Sequence, residues 1–321
     1  MTDATGPARP LRREVDWRRF LQDYGVYLGI VALVAINYIS NANFLSYGSI
    51  RLQLVQVVPV AIVSLGLALV IGTRGIDISL GSVMAVAAAD VPPFLLLGPI
   101  PALIAGLIAG GLLGAVNGAL VAFVGIQPIV ATLGMLVAGR GIALVIADGK
   151  LTEIFDPFLG SLGSGSFMAV PFLIIITLGL GIAVAAIVGR TTFGRYILAT
   201  GGNPTAARLS GVPVRRTLIA VYVVSALLAA TAGMLQTARI GAADPSFAGN
   251  LIELSAISAV VVGGTPFSGG RVRILGTLAG ALFIQLIEAT LIRNNLSDSV
   301  ARMVAALIIL VAVYIQRARD G

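Results

Sequence analysis

The sequence of 321 residues contains no cysteine and no histidine. The first absence excludes disulfides and thiolate metal sites, and the second removes the commonest metal ligand and the most adaptable proton carrier. Lysine occurs once, at Lys150, and no Gly-x-x-x-x-Gly-Lys-Ser/Thr motif is present, so the chain is not itself a P-loop ATPase. The single tryptophan, Trp17, precedes the first apolar segment, so none of the apolar segments contains an indole.

Charged residues are also scarce, at 11% of the chain, whereas a soluble domain has about 25%. Hydrophobic residues make up 58%, and the mean hydropathy is +1.01. These values predict an integral membrane protein, and the 39 glycines suit transmembrane helices that pack through small residues. The pI of about 10.4 is therefore attributed to basic loops that set topology, and we expect no nucleic-acid partner.

The apolar segments predict an all-α integral membrane fold with about ten transmembrane helices, since one span needs about 20 apolar residues. We expect a cytoplasmic tail at 1–23, one transmembrane domain at 24–316 with a cytoplasmic loop at 189–217, and a second tail at 317–321. The segment 251–262 is short enough to be a half-helix. The candidate spans are 24–39, 52–71, 83–97, 102–124, 129–147, 168–188, 218–238, 251–262, 274–292 and 301–315.

The basic residues predict the orientation of these spans. If the spans alternate, 15 of the 21 Lys and Arg residues lie on one side with both termini, five lie on the other, and Arg140 lies within a span. Cytoplasmic loops carry the excess of basic residues, which favours both termini in the cytoplasm.

The stretch 189–218 is the longest polar interval between the first and last apolar segments, and it carries five arginines and no acid. Its centre predicts a short helix with defined ends. Asn203 suits the N-cap, Pro204 suits the first helical position, and Gly211 suits the left-handed residue after the last turn. A small capped helix in water is suited to docking against another protein.

The residues of this stretch resemble the ribose-type ABC importer permeases, whose cytoplasmic loop carries Ala-Ala-x-x-x-Gly within Gly-x-Asn-x-x-Ala-Ala-x-x-Ser-Gly. The resemblance extends over roughly 44–317 through Gly75–Ser82, Asn117-Gly118, Gln127–Gly134 and Gly263–Gly270. One position departs from the broader ABC-permease pattern, because Thr205 stands where a Glu precedes the two alanines.

The resemblance implies a type II ABC importer-like permease that is not an enzyme and binds no cofactor, with ATP-Mg used by a separate cytoplasmic ATPase. The other implied partners are a second permease copy and an extracytoplasmic solute-binding protein, in the bacterial inner membrane. The implied cargo is a monosaccharide-like solute, moved by alternating access. The residues of the implied coupling helix and ATPase contact are Gly194, Arg195, Gly201, Asn203, Pro204, Ala206, Ala207, Arg208 and Gly211.

Polar residues within or beside the spans are candidates to line a pathway. Uncharged amides and hydroxyls among them would suit a neutral polyol, although interhelical hydrogen bonding is the ordinary role of each residue. Arg140 lies near the middle of its span, where we expect an acidic partner, backbone carbonyls or a water-filled cavity to face it. The candidate pathway residues are Asn117, Gln127, Thr132, Asn250, Glu253 and Ser258.

Two Gly-rich turns have similar surroundings. The segments 68–75 and 260–267 both run from apolar residues into such a turn, which indicates an internal repeat or a chance similarity. In the first turn, Asp77 is placed to cap the following helix, and Arg74 is near enough to pair with it.

Other functions stay open as alternatives. Branched-chain amino acids and nucleosides are carried by related permeases and are competing cargoes. An ion-coupled secondary transporter is a further alternative, although proton coupling usually needs buried Asp, Glu or His and this chain has few. A membrane enzyme is disfavoured, since no compact set of nucleophile, base or metal ligands is present.

Overall fold

A computed structural model describes residues 17–293, 299–300, 303–304 and 306–307, with side chains from Tyr24 onward except at position 42. A 3-10 turn covers Ala42–Leu45, and a π-helical turn at Leu120–Val124 continues α4. The helices are α1 Trp17–Ser40, α2 Tyr47–Gly72, α3 Leu80–Leu95, α4 Pro99–Ala119, α5 Pro128–Ile146, α6 Pro157–Ser164, α7 Phe172–Arg190, α8 Thr192–Gly202, α9 Pro204–Leu209, α10 Val214–Ile240, α11 Ile252–Val262 and α12 Ile274–Arg293.

Six of these helices are long and apolar enough to cross a membrane: α2, α4 with its π turn, α5, α7, α10 and α12. Three shorter apolar helices, the Tyr24–Ser40 part of α1, α3 and α11, account for three further predicted segments. At 1.5 Å per residue, the 11 residues of α11 rise about 16 Å, roughly half of a bilayer core. The tenth predicted span, 301–315, lies mostly outside the described residues, so the span count and the orientation stay predictions.

The centre of the bundle is formed by α2, α3 and α10. Twelve consecutive residues of α3, from Leu80 to Val91, are buried, and α3 packs against α4, α5 and α10. The face of α4 that meets α10 carries a glycine at every fourth position. A Cβ on Gly114 would lie 2.5 Å from the Ala226 Cβ and 2.7 Å from the Tyr222 carbonyl oxygen, so the two helices pack at backbone distance.

The helix bundle has two ends, and each carries its own small elements. α8 and α9 lie at one end, where α2 finishes and α10 and α12 begin; we call this the α9 end. At the opposite end, the loops contain α6 and four two-residue strands. β1 (Thr152–Glu153) pairs antiparallel with β4 (Ala242–Ala243), and β2 (Ser166–Phe167) pairs with β3 (Val170–Pro171). α10 has 27 residues, which separates the two ends by about 40 Å along its axis.

Candidate functional site

The short helix α9 has the ends that the sequence predicts. The Asn203 side-chain oxygen accepts hydrogen bonds from the backbone N–H groups of Thr205 and Ala206, both at 3.0 Å. At the other end Gly211 has φ +83°, and its N–H donates to the Arg208 carbonyl at 3.1 Å. The next N–H donates to the Ala207 carbonyl at 3.0 Å, which completes a Schellman motif. The caps therefore satisfy the backbone groups that a two-turn helix leaves open.

α9 protrudes from the bundle. Ala207 is buried against the bundle, whereas Asn203, Thr205, Ala206 and the whole segment 208–211 are exposed. Leu209 has 85% of its surface exposed, so the helix presents an apolar tip between polar neighbours. All five arginines of the stretch 189–218 are exposed as well. α9 is therefore an exposed helix with an apolar tip in basic surroundings.

The 11-residue helix directly before α9, α8, is not predicted from the sequence. Thr191 caps it by accepting a hydrogen bond from the Gly194 N–H at 3.1 Å. Its buried face includes Ile197, one turn after the half-buried Phe193. The cap and this four-residue apolar spacing were the signals that would have revealed it.

Arg74 and Asp77 do not form the expected pair. The Arg74 guanidinium donates from Nε to the Ser268 carbonyl at 2.8 Å and from a terminal nitrogen to the Gly202 carbonyl. Asp77 instead accepts from the backbone N–H of Ser79 at 2.9 Å and from its hydroxyl at 2.6 Å. Since α3 begins at Leu80, Asp77 stabilises the turn before the helix rather than capping its first turn.

Asp77, Ser79, Asn117 and Thr132 form what we call the inner polar cluster. All four side chains are at most 1% exposed. The Asn117 amide donates to the Ser79 hydroxyl at 2.8 Å, and the Thr132 hydroxyl accepts from the Ile78 N–H at 3.2 Å. Burial raises the pKa of the Asp77 carboxyl to about 6, although the hydrogen bonds from Ser79 lower it. These contacts tie the turn before α3 to α4 and α5.

Gln127, another predicted pathway residue, lies apart from this cluster. It is exposed in the turn before α5, and it precedes Pro128 at the first helical position. The structure therefore places Asn117 and Thr132 in one buried cluster and Gln127 on the surface.

A cavity of about 380 Å³ opens at the end opposite α9, and it contains two of the predicted pathway residues, Asn250 and Ser258. The other polar residues that line it are Gln56, Gln236, Arg239, Ser255 and Glu288. They come from α2, α10, α11 and α12, so the sequence alone does not show that they share one space. A buried glutamine oxygen, that of Gln236, has no protein partner in the described structure, which suits a wet or ligand-binding cavity.

Arg140 and Glu253 lie between α5 and α11. An Arg140 terminal nitrogen donates to the Ala248 carbonyl at 2.6 Å and to the Pro245 carbonyl at 3.4 Å. Glu253 is 7% exposed and close enough to attract the guanidinium electrostatically. The loop to which Arg140 donates leads directly into Asn250, which lines the cavity. Arg140 itself is not a lining residue, so it stabilises the lining loop from outside the cavity.

The structure thus combines apolar helices long enough to cross a membrane with an exposed, capped helix at one end and a polar cavity at the other. The profile of the family described as the permease component of the branched-chain amino acid transport system matches residues 49–313. The chain belongs to this family. The resemblance to ribose-type ABC importer permeases is confirmed, and the chain is a multi-pass protein of the inner membrane.

Individual relatives match over most of their length. The ribose import permease protein of Haemophilus influenzae is 38% identical over 92% of this chain and 93% of its own. The galactofuranose transporter permease protein of Escherichia coli is 39% identical over 81% of this chain and 77% of its own. The fructose import permease protein of Bifidobacterium longum is 35% identical over 88% and 81%. No solved structure matches the chain.

Proposed function

We propose that this chain is the transmembrane subunit of an ATP-driven importer for a monosaccharide. A cytoplasmic ATPase docks on α9, a second permease copy completes the pore, and an extracytoplasmic binding protein delivers the sugar. ATP-Mg is bound and hydrolysed by the ATPase. The permease alternates between states that open the pathway to either side of the membrane.

The observation that carries this proposal is the exposed, doubly capped helix α9. The exposed Ala206 has a small side chain that allows close backbone approach, and Leu209 provides an apolar group for a socket in the partner. The excess of arginine on the α9 side supports a cytoplasmic location for this end. α10 follows α9 after four residues, so a displacement of α9 acts directly on the central helix of the bundle.

The cavity supports the choice of cargo. Its amide and hydroxyl groups are donors and acceptors that match the hydroxyls of a sugar, and it lies at the end of the bundle opposite α9. The relatives carry ribose, galactofuranose and fructose by name. Arg239 and Glu288 also line the cavity, and this pair of opposite charges suits a zwitterion, so a branched-chain amino acid is the second candidate cargo.

The decisive experiment places Gly211→Trp in the complete transporter with its ATPase and binding protein. No atom outside the neighbouring residues lies within 4 Å of a Cβ at Gly211, so the indole projects from the docking surface without disturbing the bundle. We expect the variant to insert into membranes normally and to lose co-purification with the ATPase, sugar uptake and substrate-stimulated ATP hydrolysis.

Gly211→Ala is the matched control, because it introduces the same backbone strain at φ +83° without the bulk. It should retain most of the uptake. Uptake of ribose, fructose, leucine and a nucleoside by the wild-type transporter identifies the cargo class. Normal uptake by Gly211→Trp would contradict the assignment of α9 as the ATPase contact.

A further inference from the structure

Three glycine-containing segments meet at the α9 end, at the base of α8 and α9, which we call the docking helices. They are the turn after α2 (72–75), the end of α8 (201–202) and the loop between α11 and α12 (269–270). The Gly270 N–H donates to the Gly72 carbonyl at 3.0 Å. A Cβ on Gly201 would overlap the Gly72 carbonyl oxygen and would lie 2.5 Å from the Gly270 nitrogen. The three backbones are therefore in contact, with no room for a side chain between them.

One side chain bridges these segments from the surface. Arg74 belongs to the first, donates to the Gly202 carbonyl at the end of the second, and donates to the Ser268 carbonyl at the edge of the third. The Gly202 carbonyl is among the last of α8, where the helix dipole is negative and a cation is favoured. The planar fork of arginine can reach two acceptors at once, which a lysine does less well.

The backbone conformation of Arg74 is unusual. Arg74 has φ +66°, a left-handed conformation that is unfavourable for a residue with a side chain. The glycine that adopts such a conformation more easily is the next residue, Gly75, and not the residue at position 74. Gly269 packs against Arg74, since a Cβ there would lie 2.6 Å from the Arg74 Cγ. The strained conformation persists because the side chain is held on both neighbouring segments.

We infer that Arg74 is a positioning residue that transmits the movement of α8 and α9 to the transmembrane bundle. The turn that contains Arg74 continues through Asp77 into α3, whose first twelve residues are buried, and the loop that contains Ser268 connects α11 to α12. α11 carries Ser258 of the cavity. Arg74 thus links the docking helices to the elements that border both the inner polar cluster and the cavity. This inference rests on the proposed function.

The inference also gives a role to the two similar Gly-rich turns of the sequence. The first provides Gly72 and Arg74, and the second opens the loop whose later residues, Ser268 and Gly270, accept and donate the contacts just described. The first turn and the loop that the second turn opens therefore meet the end of α8 at the same junction. A displacement of α8 would therefore act on two parts of the bundle, the turn that leads into α3 and the loop between α11 and α12.

The test uses Arg74→Ala and Arg74→Lys in the complete transporter in proteoliposomes, and it measures sugar imported per ATP hydrolysed. We expect Arg74→Ala to retain the ATPase and its hydrolysis while the imported amount per ATP falls roughly ten-fold, within the usual range of coupling between sites. Arg74→Lys should restore part of the ratio, because one ammonium reaches the two carbonyls less well than the guanidinium.

Arg51→Ala is the matched control. Arg51 also donates to a main-chain carbonyl, that of Ser164 at 2.9 Å, but at the opposite end of α2. Its loss should leave the ratio of import to hydrolysis close to wild type. An unchanged ratio in Arg74→Ala would overturn the inference. Absence of ATP-dependent import in the wild type would instead refute the proposed function, so the two failures are distinguishable.

A spectroscopic measurement covers the case in which Arg74→Ala does not fold. The natural chain has no cysteine, so spin labels at Ala199→Cys and Ser268→Cys, both on exposed positions, report the distance between α8 and the α11–α12 loop. With Arg74 present, the distance should stay the same with and without ATP. With Arg74→Lys it should change on ATP binding, and equal behaviour of the two chains would contradict the inference.

Discussion

The inner polar cluster and the cavity contain the same kinds of side chain in opposite settings. Asn117 in the cluster is fully buried and donates to Ser79, whereas Asn250 at the cavity is exposed. The cluster lies near the α9 end and holds the turn before α3, while the cavity lies near the other end and opens outward. Polar groups between transmembrane helices therefore serve two purposes, which only their exposure and their partners distinguish.

The largest expected difference between the two regions is in chemical accessibility. Asn250→Cys should react with a small membrane-impermeant thiol reagent at a rate typical of an exposed thiol, and Asn117→Cys should react at least about a hundred-fold more slowly, because thiol reactivity requires access. The wild-type chain contributes no background, since it lacks cysteine. Mass spectrometry of the labelled protein over time measures both rates.

Comparable labelling of the two cysteines would show that the inner polar cluster is reached by water during the transport cycle. The cluster would then be part of the pathway, as the sequence analysis expected for Asn117 and Thr132. Addition of the ATPase and ATP during labelling tests whether such access belongs to one state of the cycle.

Features that depend on neighbouring residues could be predicted from the sequence, and features that depend on packing could not. The ends of α9 were predicted correctly, because Asn203, Pro204 and Gly211 act through local backbone geometry that a few neighbouring residues determine. α8 was missed because its glycines at 194, 201 and 202 resemble a loop, whereas Gly194 and Gly201 are required by close packing in the fold. Propensity does not report such contacts.

The polar residues show where prediction from the sequence stops. Asn117 and Asn250 are both amides beside apolar segments, and nothing local distinguishes the buried one from the exposed one. The same limit explains why Gln56 and Gln236 were not selected, since their common cavity depends on the packing of α2 against α10. Arg74 was assigned to Asp77 because they are three residues apart, but the αL turn directs its side chain to segments distant in sequence.

The second prediction concerns the charge of the inner polar cluster. Burial raises the pKa of Asp77 to about 6 from its ordinary 3.8, so the ionised form destabilises the fold. The penalty is fully present above about pH 6, shrinks as the pH falls towards 3.8, and disappears below 3.8, where the carboxyl is protonated in the folded and unfolded chains alike. Asp77→Asn carries no such charge and keeps the oxygen that accepts from Ser79.

We therefore expect Asp77→Asn to be more stable than the wild type at pH 8, by up to about 3 kcal/mol, and to lose most of this advantage near pH 4. Thermal unfolding of the purified protein in detergent at the two pH values measures the difference. A gain of the same size at both values would mean that the charge of Asp77 is not its cause.

The smallest expected effect is a difference between two asparagine variants, one in the inner polar cluster and one at the cavity. The first should lose stability and the second should lose transport. Asn117→Ala removes a buried hydrogen bond to Ser79, so we expect it to lower the free energy of unfolding by about 1–2 kcal/mol. Asn250→Ala lies at an exposed position and should leave stability within about 0.5 kcal/mol of the wild type. Sugar uptake should fall more in Asn250→Ala than in Asn117→Ala once both are corrected for the amount of folded protein. If Asn250→Ala transports normally while Asn117→Ala does not, the cavity is not the route of the sugar and the two regions have exchanged their assigned roles.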